Sequence, residues 1–534
     1  MELKNMKILI TELMDDEAVS FLRKSCTVDV KYKLSKDELL KIITEYSAII
    51  IRSETIIDEE FLNAAVNLKI VGRGGSGLDN VDINAATQKG IIVANTPESN
   101  IVSAAEHTIA LMLASCRNVA WASGFIKSGQ WDRKRFHGSE LMDKVIGIIG
   151  LGRIGGLVAE RLKGFAPGKI IAYDPYIADS RFEKYGAEKI TVLDDFFKQA
   201  DIITIHTPRT KETIDMVNDR EISIMKNGVH LLNVARGGLY NEDALVRGLE
   251  SGKIASLGID VWMNEPQSGH GLYKFDNVTG TPHLGASTSE ASLRVGVEVA
   301  NEVLAGLRGE MVKNAINIPS ISDTSFKKLS AFIELSGKMG HFYSQLSKHG
   351  VRKIEIKFSG NEIENGGDLK ILSLMALKGI LERSVPETVN FVNAGLIAEQ
   401  KGIEVVEDLE VGQKDYKNMI TLKVYEDGGS IFEISGTVFD RIYPRIVNIN
   451  DYRLDLDPHG KFLYAPHKNV PGVIGKVGIK LAEYNVNISR MIVSDSDSKG
   501  SSIMILRVDN NVPGELLDRL KEFDEIQDIV VVDM

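Results

Sequence analysis

A chain of 534 residues has room for three or four domains at roughly 150 residues each. Its 63 basic and 74 acidic residues give a formal charge of -11, which excludes an overall positive field for nucleic acid or an anionic membrane. No apolar run approaches the ~18 residues of a membrane span, the N-terminal stretch lacks the apolar core of a secretory signal, and Cys26 and Cys116 form no C-x-x-C pair. The expectation is a soluble cytoplasmic protein with free thiols and no metal site.

The first hundred residues alternate short apolar runs with amphipathic stretches: KILI then AVSFLRKS, AIIIRS then DEEFLNAA, LKIVG then DINAATQKG, and IIVAN before a long helix. Strands alternating with helices predict a parallel α/β unit. The long helix, SAAEHTIALMLASCRN, has Pro97 and Asn100 as start signals. A second α/β unit restarts at KVIGIIG and continues through KIIAYD, DIITIHTP, HLLNVA and ASLGIDV, ending near TPHLGAST. Helical sequence returns in SEASLRVGVEVANEVLAGLRG. From about residue 320 the text becomes mixed α+β, with strands such as VRKIEIKFSG and SIFEISGTVFDRIYPRIVNI. Lys461 to Met534 reads strand, helix, strand, strand, helix, strand, a ferredoxin-like order.

G-x-G-x-x-G occurs twice, at Gly72, Gly74 and Gly77 and again at Gly150, Gly152 and Gly155. A dinucleotide pyrophosphate requires a strand that delivers the loop, a helix whose first N–H groups face the phosphates, and an acid about 20 residues on for the ribose. Only the second loop has all three: KVIGIIG, IGGLVAERLKGF, and Asp174 closing KIIAYD. Asp174 further predicts NAD, because the 2′-phosphate of NADP would meet a like charge. The first loop is then a candidate for facing an anionic substrate.

Hydride transfer from a secondary alcohol needs a proton acceptor and a carboxylate anchor. Arg236 can grip a carboxylate at two points, His283 can exchange a proton near neutral pH, and Glu265 can hold its ring. WDRKRF concentrates Arg133, Lys134 and Arg135.

In this order, SAAEHTIALML, GIIGLGRIG, YDP, HTP, NVARGG, GIDVW, NEP and TPHLGASTSEA resemble the D-isomer-specific 2-hydroxyacid dehydrogenases. IRSET, VGRGGSGLDNVD, WDRKRFHGSEL, VKNAINIP, VNFVNAGLIAEQKGI and HKNVPGVIGKVG extend the likeness to the long-form D-3-phosphoglycerate dehydrogenases, over nearly the whole chain. The resemblance implies a flavodoxin-like substrate domain (1–97 and 283–316), a Rossmann-type NAD domain (98–282), an intervening allosteric substrate-binding-type domain (317–457) and a terminal ACT domain (458–534). It implies NAD-dependent oxidation of 3-phosphoglycerate to 3-phosphohydroxypyruvate, the entry to serine synthesis. Arg236 would hold the substrate carboxylate, with His283 as acid/base and Glu265 as its partner. Gly150, Gly152, Arg153, Ile154, Gly155, Asp174, His206, Thr207, Pro208, Thr213, Ala235, Asp260, Gly285 and Ala286 would line the NAD site. The first glycine loop would belong to the substrate domain, with Arg52, Ser53, Gly75 and Ser76 near the substrate.

Arg133 and Lys134 would reach the phosphate in a neighbouring subunit, implying a homodimer or homotetramer. His467, Asn469 and Asn487 would hold L-serine as an effector, with loop and strand side chains meeting at one domain edge. Two features depart from the family pattern: KGFAPGKIIAYD is one residue longer than the usual turn before the ribose acid, and His137 stands where an apolar residue is common. Rival readings are a hydroxypyruvate or glyoxylate reductase on the same scaffold and a redox-sensing corepressor, since fold does not determine substrate.

Overall fold

The computed structural model describes residues 3–319, 321, 323–360, 366–385, 388–410, 416–495, 501–509 and 511–534. Short runs such as KILI and AIII, apolar at every position but Lys7, are buried on both faces, and that burial makes them parallel strands covered by helices. The first sheet runs in the order Thr27–Val30, Lys7–Ile10, Ala48–Ile51, Ile70–Arg73, Ile92–Asn95, all parallel. The strand Thr27–Val30 escapes a reading by apolar runs because Thr27 and Asp29 interrupt it. The helix Ser289–Arg308, far away in sequence, returns to this sheet and buries Val299, Val303, Leu304 and Leu307 against Ile50, Ile70 and Ile92.

The second sheet has seven parallel strands, ordered Val278–Gly280, Ile254–Ile259, Val229–Asn233, Ile202–Ile205, Val145–Ile149, Lys169–Tyr173, Glu188–Lys189. Strand order reverses between Val145–Ile149 and Ile202–Ile205, which opens a crevice at their carboxyl ends. The long helix spans Ile101–Cys116, begins after Asn100 as expected, and packs Leu111 and Met112 under this sheet. The chain crosses between the two units twice. Ser103 and Thr288, one beyond each crossing, share a 2.9 Å hydroxyl contact, and Arg294 Nε donates to the carbonyl of Ser99 at 3.0 Å.

The third unit is a six-stranded sheet, Glu404–Glu410, Val351–Ser359, Met419–Glu426, Ile431–Phe439, Tyr443–Ile449, Tyr452–Leu456. The helices Asp323–Leu346 and Gly366–Leu381 cover it. The last unit is ordered Ile488–Asp495, Ser501–Val508, Lys461–Lys468, Val530–Asp533, with the helices Val473–Glu483 and Gly514–Lys521 on one face. Its other face, carrying Phe462, Tyr464, Ile503, Ile505 and Val532, merges with the core of the third unit. The segment Asn390–Val392 returns to the first unit, with Val392 in its core and Asn390 Nδ2 donating to the carbonyl of Gly90 at 2.7 Å.

Candidate active site

Between the first two units lies a cleft of about 1350 Å³. The first unit lines it with Arg52, Ser53 and the loop 73–82, and the second with Arg236, Gly237, Glu265, His283 and Ala286.

One wall is organised by Glu12. Its carboxylate accepts the backbone N–H groups of Arg52 (2.9 Å), Glu54 (3.0 Å) and Thr55 (2.9 Å), gathering the IRSET turn. Burial would push this carboxyl up, but those bonds outweigh it and hold it below its ordinary value. The adjacent glycine loop hangs from the strand Ile92–Asn95: Asn95 Nδ2 donates to the carbonyl of Ser76 (2.8 Å), and Gly75 N–H donates to Thr96 Oγ1 (2.7 Å). Arg73 emerges from this strand–loop junction half-buried against Gly75, with its buried Nε unpartnered among the described residues. Burial and the neighbouring Arg236 and Arg52 guanidiniums push it down to about 10, still cationic at pH 7. Sequence reasoning passed over both Glu12 and Arg73. The signal for Arg73 was a lone charge closing the buried strand Ile70–Arg73.

The opposite wall is organised by Asp260, whose side chain is fully buried. It accepts from Thr281 Oγ1 (2.6 Å), Leu284 N–H (2.7 Å) and Gly285 N–H (2.9 Å), with His107 Nε2 at 3.2 Å. Burial raises this carboxyl, yet the donors hold it below its ordinary value. Asp260 therefore anchors the 281–285 loop from inside, and it is not among the residues that line the open cleft. Within that loop His283 takes a left-handed backbone, φ 56°, which costs a residue with a Cβ about 1 kcal/mol. Its Nδ1 lies 2.6 Å from Glu265 Oε2, while Glu265 Oε1 accepts the N–H of Trp262 at 2.8 Å. Burial of Glu265 is outweighed by these bonds, so its carboxyl stays below its ordinary value. With Nδ1 committed to Glu265, Nε2 is the ring atom free to take a proton. Arg236 stands on the same wall, its Nη1 donating to the carbonyl of Ala235 at 2.7 Å.

The second glycine loop sits at the crevice. Gly150 has φ 87°, and a Cβ at Gly155 would lie 2.1 Å from the carbonyl of Gly150, so both positions require glycine. A Cβ at Gly152, the N-cap of Arg153–Leu162, would meet nothing within 4 Å, leaving open space before the helix N-terminus that also carries Ile154. Asp174 Oδ2 accepts Leu151 N–H at 2.9 Å and Oδ1 accepts Tyr176 N–H at 3.1 Å, which pins the acid beside the loop. Thr207 Oγ1 is buried without a partner among the described residues. Burial pushes the His206 imidazole down to about 4, so it is neutral at pH 7. Thr213 Oγ1 donates to the carbonyl of Pro208 at 2.6 Å, shaping the loop on that side of the crevice. Open space, an orphaned hydroxyl and a fixed acid fit a dinucleotide. The longer segment before Asp174 passes through the 3-10 turn Lys163–Phe165 and a left-handed Ala166, φ 49°, before the strand Lys169–Tyr173. His137 is exposed, and its carbonyl accepts Asn118 Nδ2 at 2.9 Å where the chain turns after the long helix.

Two expected groups are not assembled within one chain. Arg133 and Lys134 lie on an exposed 3-10 turn and do not line the cleft, while Arg135 sits over the rings of Trp121 and Phe125. His467 is on a strand and 3% exposed rather than in a loop, Asn469 is exposed, and Asn487 donates to Asp509 at 2.7 Å. Strand register puts His467 opposite Ser502 and Ile488 opposite Val508, so His467 and Asn487 occupy opposite ends of the sheet. The expectation of one shared edge fails within a chain because the helix Val473–Glu483 runs back along the sheet before the next strand begins.

Residues 109–285 match the D-isomer specific 2-hydroxyacid dehydrogenase NAD binding domain, 328–450 the D-3-phosphoglycerate dehydrogenase intervening domain, and 467–525 the ACT domain. The chain is 39% identical to the D-3-phosphoglycerate dehydrogenase of Archaeoglobus fulgidus, across 99% of this chain and 100% of that one. The chain belongs to the D-3-phosphoglycerate dehydrogenases. The Bacillus subtilis member of this family is 36% identical over 99% of each chain. Among solved structures, D-lactate dehydrogenase from Aquifex aeolicus, complexed with NAD and lactic acid, has a TM-score of 0.52 at 30% identity, covering 59% of this chain and all of that one. A glyoxylate reductase from Paecilomyes thermophila has a TM-score of 0.54 at 28% identity, covering 58% of this chain and 98% of that one. Those two chains are thus matched almost whole by little more than half of this one.

Asp260→Asn is expected to lower the stability of the dehydrogenase core by about 3 kcal/mol at pH 7, since an amide cannot accept from all these donors. Because the folded carboxyl lies below its ordinary value, its stabilisation is present above about pH 4 and disappears as pH falls through the lowered value. Denaturant titrations of both proteins should therefore converge in acid.

Proposed function

We propose that this protein oxidises 3-phospho-D-glycerate to 3-phosphohydroxypyruvate with NAD, the first step toward L-serine. The observation that carries this reading is the His283–Glu265 pair on one wall of a cleft that also holds the Arg52, Arg73 and Arg236 guanidiniums. Relatives named for this activity along the whole chain support it.

In this reading Arg236 grips the C1 carboxylate at two points, which orients the C2 hydroxyl toward His283 Nε2. His283 takes the hydroxyl proton as the C2–O bond becomes a carbonyl, and Glu265, already ionised, stabilises the imidazolium. Bound NAD supplies the acceptor for the C2 hydride. Asp174 would hold the ribose hydroxyls of that cofactor, and the helix N-terminus at Gly152–Arg153 would hold its pyrophosphate. Arg52 and Arg73 supply positive charge near the glycine loop for the phosphate end, joined by Arg133 and Lys134 of a second copy.

A second copy accords with the helix Val119–Lys127, VAWASGFIK, which buries no residue in this chain and exposes Val119, Ile126 and, just beyond its end, Trp131. Serine as an effector also calls for two copies. Antiparallel pairing of two Ile488–Asp495 edge strands would bring one copy's Asn487 level with the His467 end of the other. A glyoxylate or hydroxypyruvate reductase shares only the core, whereas the relatives named for phosphoglycerate also share the intervening and ACT domains. A purely sensing corepressor has no need of the intact acid/base pair.

His283→Ala is expected to lower kcat with 3-phospho-D-glycerate by ~10² to 10⁴, the usual contribution of general acid/base catalysis, with NAD affinity retained. Near wild-type turnover would remove His283 from the mechanism. Titrating L-serine into the full-length protein should release binding heat and depress the rate, with a coupling of about 1 to 3 kcal/mol. Neither heat nor inhibition at millimolar serine would discard the effector reading.

A further inference from the structure

The geometry points to Asp79 as a positioning residue that aims Arg236 from across the domain gap. In LDNVD, Asn80 and Asp82 serve their own domain. Asn80 Nδ2 donates to the carbonyls of Arg52 (2.9 Å) and Thr55 (2.6 Å), and Asp82 caps the helix Ile83–Gln88 by accepting Ala85 N–H at 2.9 Å. Those bonds fix the backbone that follows Asp79, and Val81 N–H donating to the carbonyl of Leu78 at 3.0 Å closes the turn around it. Its own carboxylate instead reaches the second unit, where Oδ2 lies 3.3 Å from Arg236 Nε.

Arg236 is held on its other sides as well. Its carbonyl accepts Asn233 Nδ2 at 2.8 Å, its Nη1 donates to Ala235, and a Cβ at Gly77 would lie 2.4 Å from Nη2, so the guanidinium rests directly on the glycine loop. With the Asp79 carboxylate beside Nε and Nη1 bonded to Ala235, the Nη1–Nη2 edge still carries hydrogens for a ligand. That edge matches a carboxylate at two points. Beside burial, Arg236 and Arg52 stand close enough to Arg73 to push its guanidinium down, so without Asp79 the like charge of Arg73 would drive Arg236 out of its orientation. Because donor and acceptor belong to different units, the contact exists only when those units are close, and carboxylate recognition is thereby tied to domain closure. Asp79 is more than half exposed, so the pair contributes little to folding and can be removed without unfolding the chain.

This inference rests on Arg236 holding the substrate carboxylate, and Arg236→Lys tests that separately. In the full-length enzyme with NAD, Asp79→Ala should raise KM for 3-phospho-D-glycerate about tenfold or more, with kcat within about threefold and NAD affinity and thermal midpoint unchanged. Asp79→Asn, which keeps an oxygen of the same reach beside Nε but loses the charge, should fall between Ala and the wild type, and it carries the test if the Ala variant fails to fold. In an Arg236→Lys background, which has no guanidinium to aim, Asp79→Ala should change KM by less than about twofold. An unchanged KM in both Asp79 variants, or effects that multiply with Arg236→Lys, would overturn the proposal. A lowered KM would also overturn it, by showing that Asp79 competes with substrate for Arg236. If Arg236→Lys itself leaves KM intact, the carboxylate role falls and this inference falls with it. If only the Asp79 variants are silent, Arg236 keeps its role and Asp79 alone is discarded.

Discussion

A buried carboxylate, Asp260, is the point on which the catalytic wall depends. It collects Thr281, Leu284 and Gly285 on one side chain and so forces the chain through a left-handed His283. The strain at His283 is sustained because the donors around Asp260 over-determine the loop, and the result is an imidazole presented edge-on to Glu265. Glu12 does the corresponding work on the facing wall, gathering three backbone N–H groups of the IRSET turn. Neither acid lines the cleft. Each converts a flexible loop into a rigid wall, and both keep their carboxyls below the ordinary value despite burial.

The two glycine loops show how one six-residue pattern serves two tasks. At Gly150 the loop opens a helix of ten residues beside an acid pinned by Leu151, and the geometry suits phosphates and a ribose. At Gly72 it opens into a turn hung on Asn95 and Thr96, and the absence of a Cβ at Gly77 makes room for a guanidinium from another domain. The strand Ile92–Asn95 from which the Gly72 loop hangs is also flanked by the chain leaving for the third unit: Ile316 N–H donates to the carbonyl of Val93 at 2.8 Å and Asn317 accepts Val93 N–H at 3.0 Å. The Gly72 loop and the chain leading to the third unit therefore meet on four residues.

Local chemistry was legible in the sequence. The alternation of apolar runs and amphipathic stretches gave the parallel sheets, and the strand–glycine–helix–acid sequence identified the crevice. What required tertiary information stayed hidden. Asp260 reads as a cleft residue until the 281–285 loop is folded over it. Arg73 looks like part of a turn until its guanidinium is buried under Gly75. His467 and Asn487 seem adjacent in sequence logic, yet a helix of eleven residues carries the chain to the far end of the sheet between them. Thr27–Val30 was missed because polar residues interrupt a strand that its neighbour Lys7–Ile10 nonetheless pairs in full.

The central claim is that hydride leaves C2 of the phosphorylated acid for NAD while the hydroxyl proton passes to His283. Single-turnover reaction of the full-length enzyme with 3-phospho-D-glycerate deuterated at C2, read by mass spectrometry of both products, tests it directly. The account predicts deuterium in the reduced cofactor and a phosphate still attached to the oxidised product. Deuterium recovered in water, or a product without phosphate, would contradict it.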